Sequence, residues 1–244
     1  MNSFYHIWTL SQLFVIKIMF LFVYSFYRIK GHSVDDSLKI CCVQWSNFCE
    51  KKFQMKIDVL QPEVFKEIDL NRPVFLVSNH ESWGDIPALC YATQNYWGFV
   101  AKKELSRMPM LNYWMKKAGC ILIDRKNFRG SLRLIENRVT SGEIVPKIAI
   151  FPEGTRSKDG SLLAFKPGGL KIAWSVEPQI IVTAVHGTRQ AWENRSHNKT
   201  KPVKVKFLKK YELAEVKKEM RFSEWVKELR QELESGLTSL QKEI

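Results

Sequence analysis

The sequence predicts an α/β fold, with a mostly parallel or mixed sheet flanked by helices and preceded by an N-terminal membrane-associated two-helix segment. Apolar runs of strand length recur, with helical stretches between most of them, at residues 73–79, 97–101, 120–124, 147–151, 180–186 and 203–208. Such alternation is typical of α/β sheets. In addition, the hydrophobic period changes from helical to two at Phe53, and the chain before Tyr27 is its most apolar part.

The most apolar segment, residues 4–27, contains His6 and Lys17. At helical spacing these two residues share a narrow face with Tyr24 and Arg28, which is typical of a helix that lies in a bilayer surface with its polar stripe toward the headgroups. A tilted single span in which the lysine reaches the interface is the alternative. The segment lacks a small-residue cleavage site, so it does not resemble a cleavable signal.

A second helix is predicted after Asp35 and Asp36, which can cap it, and its apolar face includes Trp45. We expect residues 1–52 to form a membrane-seated helical hairpin and residues 53–244 to form the catalytic domain. The alternative is that the second helix simply packs against that domain.

Composition restricts the partners. The 244 residues include 38 Lys and Arg against 25 Asp and Glu, a net charge of +13, which suits anionic lipids, phosphorylated substrates, acidic carrier proteins or nucleic acid. No helix-turn-helix, zinc-ligand spacing or ribonucleoprotein motif accompanies this charge, so nucleic acid is not an expected partner. The 5 cysteines show no disulfide or metal-ligand spacing, which favours a reducing compartment.

His80 and Asp85 are the first candidate catalytic residues. The apolar run at residues 73–77 is of strand character, and residues 82–89 carry signals that open a helix. His80 therefore falls in the turn after a strand, where open α/β sheets place ligands. A carboxylate bonded to one ring nitrogen would leave the other free to take a proton from a hydroxyl. The alternative is a buried structural histidine beside a helix-opening aspartate.

A second candidate turn follows the buried strand at residues 147–151. It contains Glu153, Gly154 and Arg156. A glycine allows close backbone approach, and an arginine offers a fork for a phosphate. If the two strands are neighbours, both turns lie at the same edge of the sheet. A further turn, at residues 165–169, includes Lys166 and two glycines and could receive a phosphate or be a simple connection.

Four ordered segments resemble the glycerolipid acyltransferase family, and most closely its lysophosphatidic acid acyltransferases. They are Asn-His-Glu-Ser-Trp-Gly-Asp at 79–85, Ala-Lys-Lys-Glu-Leu at 101–105, Gly-Cys-Ile-Leu-Ile-Asp-Arg at 119–125, and Phe-Pro-Glu-Gly-Thr-Arg at 151–156. The resemblance covers roughly residues 55 to 210. The family's fourth block usually has a proline where this chain has Thr183, which affects the deep end of the pocket and hence the acceptor.

The resemblance implies acyl transfer without a cofactor, from a thioester on coenzyme A or acyl carrier protein to the free hydroxyl of lysophosphatidic acid. It implies that His80 is the general base and that Asp85 orients it. Lys102 is a possible oxyanion or donor contact. The residues implied to bind the acceptor's phosphate are Arg125, Glu153, Gly154, Thr155 and Arg156. No metal site is expected. The product would be phosphatidic acid, made at a membrane with the active site on its cytoplasmic side.

Alternative functions remain within reach of the same residues. Another lysophospholipid could be the acceptor, or the protein could be a catalytically silent lipid-binding member of the same fold. A serine hydrolase is disfavoured because the chain has no Gly-x-Ser-x-Gly motif. The lysines of residues 199–210 predict either a docking surface for an acidic carrier protein or anionic lipid, or a solvated edge strand. A final helix is expected to cover the sheet with Trp225, Leu229, Leu233, Leu237 and Leu240.

Overall fold

The computed structural model describes residues 21–123, 128–141, 146–193 and 200–242. The strands are β1 (Met55–Leu60), β2 (Val74–Ser78), β3 (Gly98–Lys102), β4 (Ile121–Ile123), β5 (Lys147–Ile150), β6 (Gln179–His186) and β7 (Lys201–Glu212). The helices are α1 (Val34–Lys52), α2 (Pro62–Lys66), α3 (Asp85–Thr93), α4 (Pro109–Lys117), α5 (Phe128–Thr140), α6 (Pro167–Val176), α7 (Thr188–Glu193), α8 (Leu213–Glu219) and α9 (Phe222–Lys242). A 3-10 turn covers Lys103–Arg107, and residues 21–29 are helical.

Within the described residues, seven strands form one sheet in the order β1-β7-β6-β2-β5-β3-β4. The β6–β7 pair is antiparallel and the other pairs are parallel. The expected mixed α/β sheet is therefore confirmed. The central strands are apolar on both faces because helices cover both faces, as parallel sheets require.

Two layers of core cover the two faces of the sheet. On one face α6 and α9 pack against β2, β5 and β6, and the predicted apolar stripe of α9 is confirmed. On the other face α1 and α3 pack against the same strands. Burial of an aliphatic side chain of the kind that lines α9 contributes roughly 1.5–3 kcal/mol, so the final helix is an integral part of the domain.

Strand β2 occupies the point where the strand order reverses. Strand β5 lies on one side of β2, and β6, which follows β5 in sequence, lies on the other side of β2. The carboxyl ends of these parallel strands share one edge of the sheet, and crevices at such reversal points are where open α/β sheets bind ligands. The turns that begin at residues 79 and 151 both lie at this edge.

Of the alternatives for the lysines of residues 199–210, the solvated edge strand is wrong. Strand β7 pairs with β1 on one side and with β6 on the other. Its lysines reach neighbouring groups: Lys206 donates to the Ser239 hydroxyl at 3.0 Å, and Lys209 to Glu228 at 2.8 Å. These lysines are the outward half of an alternating strand whose other half is buried.

The N-terminal helices pack on the domain. Leu38 and Cys41 of α1 form a buried cluster with Tyr24 and Tyr96, while Cys49 joins the main core. The division at residue 52 therefore stays a prediction, as does membrane association. No helix among the residues described here is both long and apolar enough to cross a membrane. Residues 1–20, which hold most of the predicted surface helix, lie outside the described residues.

The cap of α1 differs from the expectation. Ser33 is the N-cap, and its hydroxyl accepts the Asp36 amide at 3.0 Å. Asp35 instead receives the Lys147 ammonium at 2.8 Å and the Tyr96 hydroxyl. Burial opposes ionisation of Asp35, but these hydrogen bonds outweigh it and lower its pKa. This contact fastens α1 to the amino end of β5, at the edge opposite the two turns.

Candidate active site

The turn between β2 and α3 brings His80 and Asp85 together. Nδ1 of His80 lies 2.6 Å from Oδ2 of Asp85, and Asp85 is the first residue of α3. Within one helix, side chains three or four positions apart meet, so a spacing of five would not make this contact. It forms here because residues 79–84 turn before the helix begins.

The Asp85 carboxylate is buried and bonded through both oxygens. Oδ2 accepts the backbone amides of Glu81 and Ser82, at 2.9 and 3.0 Å, in addition to its contact with His80. Oδ1 accepts the hydroxyl of Thr188, at the start of α7. Asp85 is thus held in one orientation, with its charge toward the imidazole.

The imidazole is also held from its face. The His80 ring stacks on Phe151, with centroids 4.0 Å apart and planes inclined by 13°. A carboxylate at Nδ1 favours the tautomer that carries its proton there, which leaves a lone pair on Nε2. The arrangement can therefore take a proton at Nε2 and stabilise the imidazolium that results.

Glu153 connects the second turn to the first. Its carboxylate is buried, with Oε1 accepting the His80 amide at 2.7 Å and Oε2 accepting the Leu163 amide at 2.8 Å. Burial raises the pKa of Glu153, and the two amides partly offset that effect. Both oxygens face protein atoms. The observed contacts of Glu153 therefore fix the backbone of the catalytic candidate, and its implied phosphate contact stays a prediction.

Gly154 and Thr155 are exposed at the tip of the same turn. Gly154 has φ +63°, in the left-handed region, and a Cβ built there would lie 3.0 Å from Cδ and 3.4 Å from Nζ of Lys166. The Lys166 amide donates to the Pro152 carbonyl at 2.7 Å. A glycine is needed here for its backbone conformation and because the lysine side chain runs across it. The ammonium of Lys166 consequently lies over this turn.

Arg156 is the second cation at this edge. Its guanidinium lies 4.9 Å from the ring centroid of Trp83 and 3.8 Å from the Glu193 carboxylate. The Trp83 ring is 53% exposed, and both members of the ion pair are exposed, so the pair is weak. The guanidinium is thereby directed by an aromatic face while it stays open to a ligand.

Two implied site residues fall outside this description. Arg125 lies outside the described residues, and Lys102 ends strand β3 without a described side chain. Their roles stay predictions.

Sequence reasoning missed the residues that hold the first turn in place. Asn79 donates to the Val185 carbonyl and accepts the Val185 amide, both at 2.8 Å, so it extends the β2–β6 pairing past the end of the strand. Thr188 holds Asp85, as described above. Their partners lie 106 and 103 positions away, and no local pattern signals such contacts.

Metal ligands are not grouped in the described residues: no set of three or more His, Cys, Asp or Glu side chains is placed to hold an ion.

Comparison with known sequences identifies relatives. A family profile described as Acyltransferase matches residues 56–186. The lysophospholipid acyltransferase LPEAT1 of Arabidopsis thaliana is 32% identical over 51% of this chain and 33% of its own length. The 1-acyl-sn-glycerol-3-phosphate acyltransferase of Cocos nucifera is 32% identical over 57% of this chain and 46% of its own length. The chain thus spans a third to a half of these curated relatives.

A solved structure shares the fold. The 1-acyl-sn-glycerophosphate acyltransferase PlsC of Thermotoga maritima superposes with a TM-score of 0.64, covering 93% of this chain and 95% of that one at 22% identity. The resemblance drawn from the four sequence segments is confirmed, because the matched residues include the turns of His80 and Glu153 and account for more than half of the chain. The chain belongs to the acyltransferase family.

Proposed function

We propose that this protein transfers a fatty acyl group from a thioester of coenzyme A or acyl carrier protein to the free hydroxyl of lysophosphatidic acid, giving phosphatidic acid. The observation that carries the proposal is the His80–Asp85 pair, 2.6 Å apart, beside a turn that presents Arg156 and Lys166. A base that faces an alcohol and cations that face a phosphate are the two parts that this reaction needs.

In the proposed reaction Nε2 of His80 removes the proton of the acceptor hydroxyl as its oxygen attacks the thioester carbonyl carbon. The C–S bond then breaks, and the imidazolium returns the proton to the leaving sulfur. Asp85 stabilises the imidazolium between these steps. Backbone amides or Lys102 hold the oxyanion. The alcohol and the thioester become an ester and a thiol, so atoms and charge balance without water or a redox partner. The proposed reaction therefore requires no cofactor.

The acceptor's phosphate would bind at the turn of Gly154, Thr155 and Arg156, with Arg125 as a further contact. The support is electrostatic. Arg156 and Lys166 are exposed cations, whereas the Glu153 carboxylate of the same turn is buried. An arginine fork and a flexible ammonium suit a phosphate monoester.

The N-terminal hairpin would seat the enzyme on a membrane, with the active site on the cytoplasmic side. Phe22 and Ile29 are 72% and 86% exposed, and the Lys30 ammonium lies 4.5 Å from the centroid of the Phe26 ring. Exposed apolar side chains beside a cation favour a helix that lies at an anionic lipid interface. Sedimentation with anionic and zwitterionic vesicles tests this, and the Phe22→Ser and Ile29→Ser variants should release the protein.

The deciding experiment is a transfer assay with purified protein in detergent, with a panel of lysolipids crossed against acyl coenzyme A and acyl carrier protein. We expect phosphatidic acid from lysophosphatidic acid. Higher kcat/KM with another lysophospholipid would instead support the second candidate acceptor class, which is also that of the Arabidopsis lysophospholipid acyltransferase. If no lysolipid is acylated but the vesicles still bind the protein, the silent lipid-binding alternative holds.

A further inference from the structure

A second histidine and a second carboxylate lie directly beside the candidate catalytic pair, and the proposed reaction uses neither. Glu81 follows His80 in sequence, and His186 is the last residue of β6. Nδ1 of His186 lies 3.5 Å from Oε1 of Glu81, and the side chains are 22% and 5% exposed. Neither atom has a hydrogen-bond partner of good geometry within the described part of the chain. Nδ1 of His186 and Oε1 of Glu81 thus face each other, and neither atom has another hydrogen-bond partner among the described residues.

The β2–β6 pairing places these two residues together. The parallel register ends at Ser78 opposite Thr183, and Asn79 then bridges to Val185. Because this bridge keeps the segments that continue β2 and β6 side by side, Glu81 comes to lie beside His186. The contact therefore follows from the same strand alignment that positions the catalytic turn.

Without His186, the surroundings of Glu81 would disfavour its ionised carboxylate. Burial raises the pKa of Glu81 above its usual range, the contact with His186 opposes that rise, and the nearby Asp85 carboxylate adds to it. The Arg189 backbone donates one hydrogen bond to Glu81. On the far side of His186, Lys204 is its cross-strand neighbour in β7. A buried carboxylate left without its partner either takes up a proton or turns toward water.

A movement of Glu81 would reach the catalytic pair directly. The amide of this same residue donates to Oδ2 of Asp85 at 2.9 Å, and that oxygen contacts Nδ1 of His80. A shift of Glu81 would thus move Asp85 and the His80 imidazole, and a misplacement on the order of 1 Å can lower the rate about a hundredfold.

We propose that His186 is a positioning residue for acyl transfer: by holding the Glu81 carboxylate inside the protein, it keeps the Glu81 amide on Asp85 and so keeps Asp85 on His80. The inference rests on the proposed function of His80. It adds to that function a histidine–carboxylate contact that supports the catalytic turn from the β6 side, whereas Glu153 supports it from the β5 side.

Four variants test the proposal. His186→Ala removes the partner and should lower kcat about tenfold, with the KM values of both substrates nearly unchanged. His186→Asn, whose amide nitrogen lies near the position of Nδ1, should recover most of the rate. Glu81→Gln removes the buried charge, and its kcat is the reference for the double variant. Because the charge is then absent, adding His186→Ala to Glu81→Gln should cost little more.

The tenfold difference between the two backgrounds corresponds to a coupling of about 1.4 kcal/mol. The loss of kcat in His186→Ala relative to wild type should also become smaller as the pH falls, because protonation of Glu81 removes the unpaired charge. The loss in the double variant relative to Glu81→Gln should not depend on pH in this way. A fall in melting temperature with kcat unchanged, or an equal loss in both backgrounds, would mean that the pair is only structural and would overturn the proposal.

A readout that needs no substrate separates this inference from the proposed function. The proton between His80 and Asp85 should give a downfield resonance in proton NMR spectra, identified by its loss in His80→Ala. It should persist in wild type, His186→Asn and Glu81→Gln, and broaden or disappear in His186→Ala. An unchanged resonance in His186→Ala would overturn the positioning role. Absence of acyl transfer by the wild type would overturn the proposed function, while the resonance would still decide the role of His186.

Discussion

The turns that follow β2 and β5 lie side by side at one edge of the sheet but are built in opposite ways. In the first, His80 and Asp85 are fixed by buried hydrogen bonds from neighbouring amides and from α7. In the second, Glu153 points inward while Gly154, Thr155 and Arg156 are exposed. The contrast fits the proposed roles: a pair that transfers a proton needs a rigid, dry support, whereas a headgroup that must enter and leave needs cations at the surface.

The largest effect is expected from breaking the first turn. His80→Ala removes the base and should lower kcat by about 10³-fold, within the range of general base catalysis. Binding of lipid vesicles should be unchanged, because the side chain is not at the proposed membrane surface. His32→Ala is the matched control and should keep full activity. Full activity of His80→Ala would rule out the mechanism.

Asp85→Asn keeps the size of the side chain but offers an amide to the imidazole, which favours the wrong tautomer. We expect a loss in kcat of about 10²-fold to 10⁴-fold. Steady-state kinetics with saturating donor measures it, with Asp58→Asn on β1 as a control of equal charge change. A mainly KM effect would show that Asp85 serves binding instead of the base.

The second turn should respond in KM instead of kcat. Arg156→Ala and Lys166→Ala should each raise the KM for lysophosphatidic acid about tenfold, since each removes a charge-assisted contact. Lys171→Ala, an exposed lysine of α6, is the control. A monoacylglycerol acceptor, which lacks the phosphate, should show no such change. Arg125→Ala should behave like Arg156→Ala if it binds the same phosphate.

A pair of glycine variants sharpens the contrast within the second turn. Gly154 and Gly160 both have positive φ, at +63° and +81°, but an added Cβ would meet Lys166 only at Gly154. Each change to alanine should cost about 1 kcal/mol in the free energy of unfolding. Gly154→Ala alone should also raise the acceptor KM severalfold. An equal KM effect in Gly160→Ala would argue against an ammonium placed by Gly154.

The smallest effect is expected at the opposite edge of the sheet. Asp35→Asn removes the partner of Lys147 and should lower the free energy of unfolding by about 1 kcal/mol, a modest value because Asp35 is half exposed. The pKa of Asp35 is lowered in the folded protein, so its contribution is present above the unfolded pKa and is lost as the pH falls through the folded pKa. The difference between variant and wild type should therefore vanish in acid, while kcat at neutral pH stays unchanged.

The order of the elements could be predicted because each depends on local information. Strands β2, β5 and β6 are apolar runs of strand length, and α9 carries its buried residues at helical spacing. Strand β7 is predicted at 203–208 but spans Lys201–Glu212, and it lies inside the sheet, which excludes the edge-strand alternative. Strand β7 is longer because it pairs with β1 on one side and β6 on the other, and the neighbours of a strand cannot be predicted from its own sequence.

The candidate site divides in the same way. The spacing of His80 and Asp85 and the Glu153-Gly154 turn could be read directly, because each is a short motif at the end of a predicted strand. The inward orientation of Glu153 and the hydrogen bond from Thr188 could not. The partner of Glu153 lies 73 positions away, and that of Thr188 lies 103 positions away. Only the folded sheet brings such residues within hydrogen-bond distance.

The alternation of strands and helices, the family and the residue types proposed to carry the chemistry all follow from the amino-acid sequence, because hydrophobic period and short motifs are local properties of a chain. The burial of particular carboxylates, the exposure of particular cations and the contact of His186 with Glu81 follow only from the folded structure. Those outcomes depend on burial and on strand register, which arise only when segments far apart in the chain pack together.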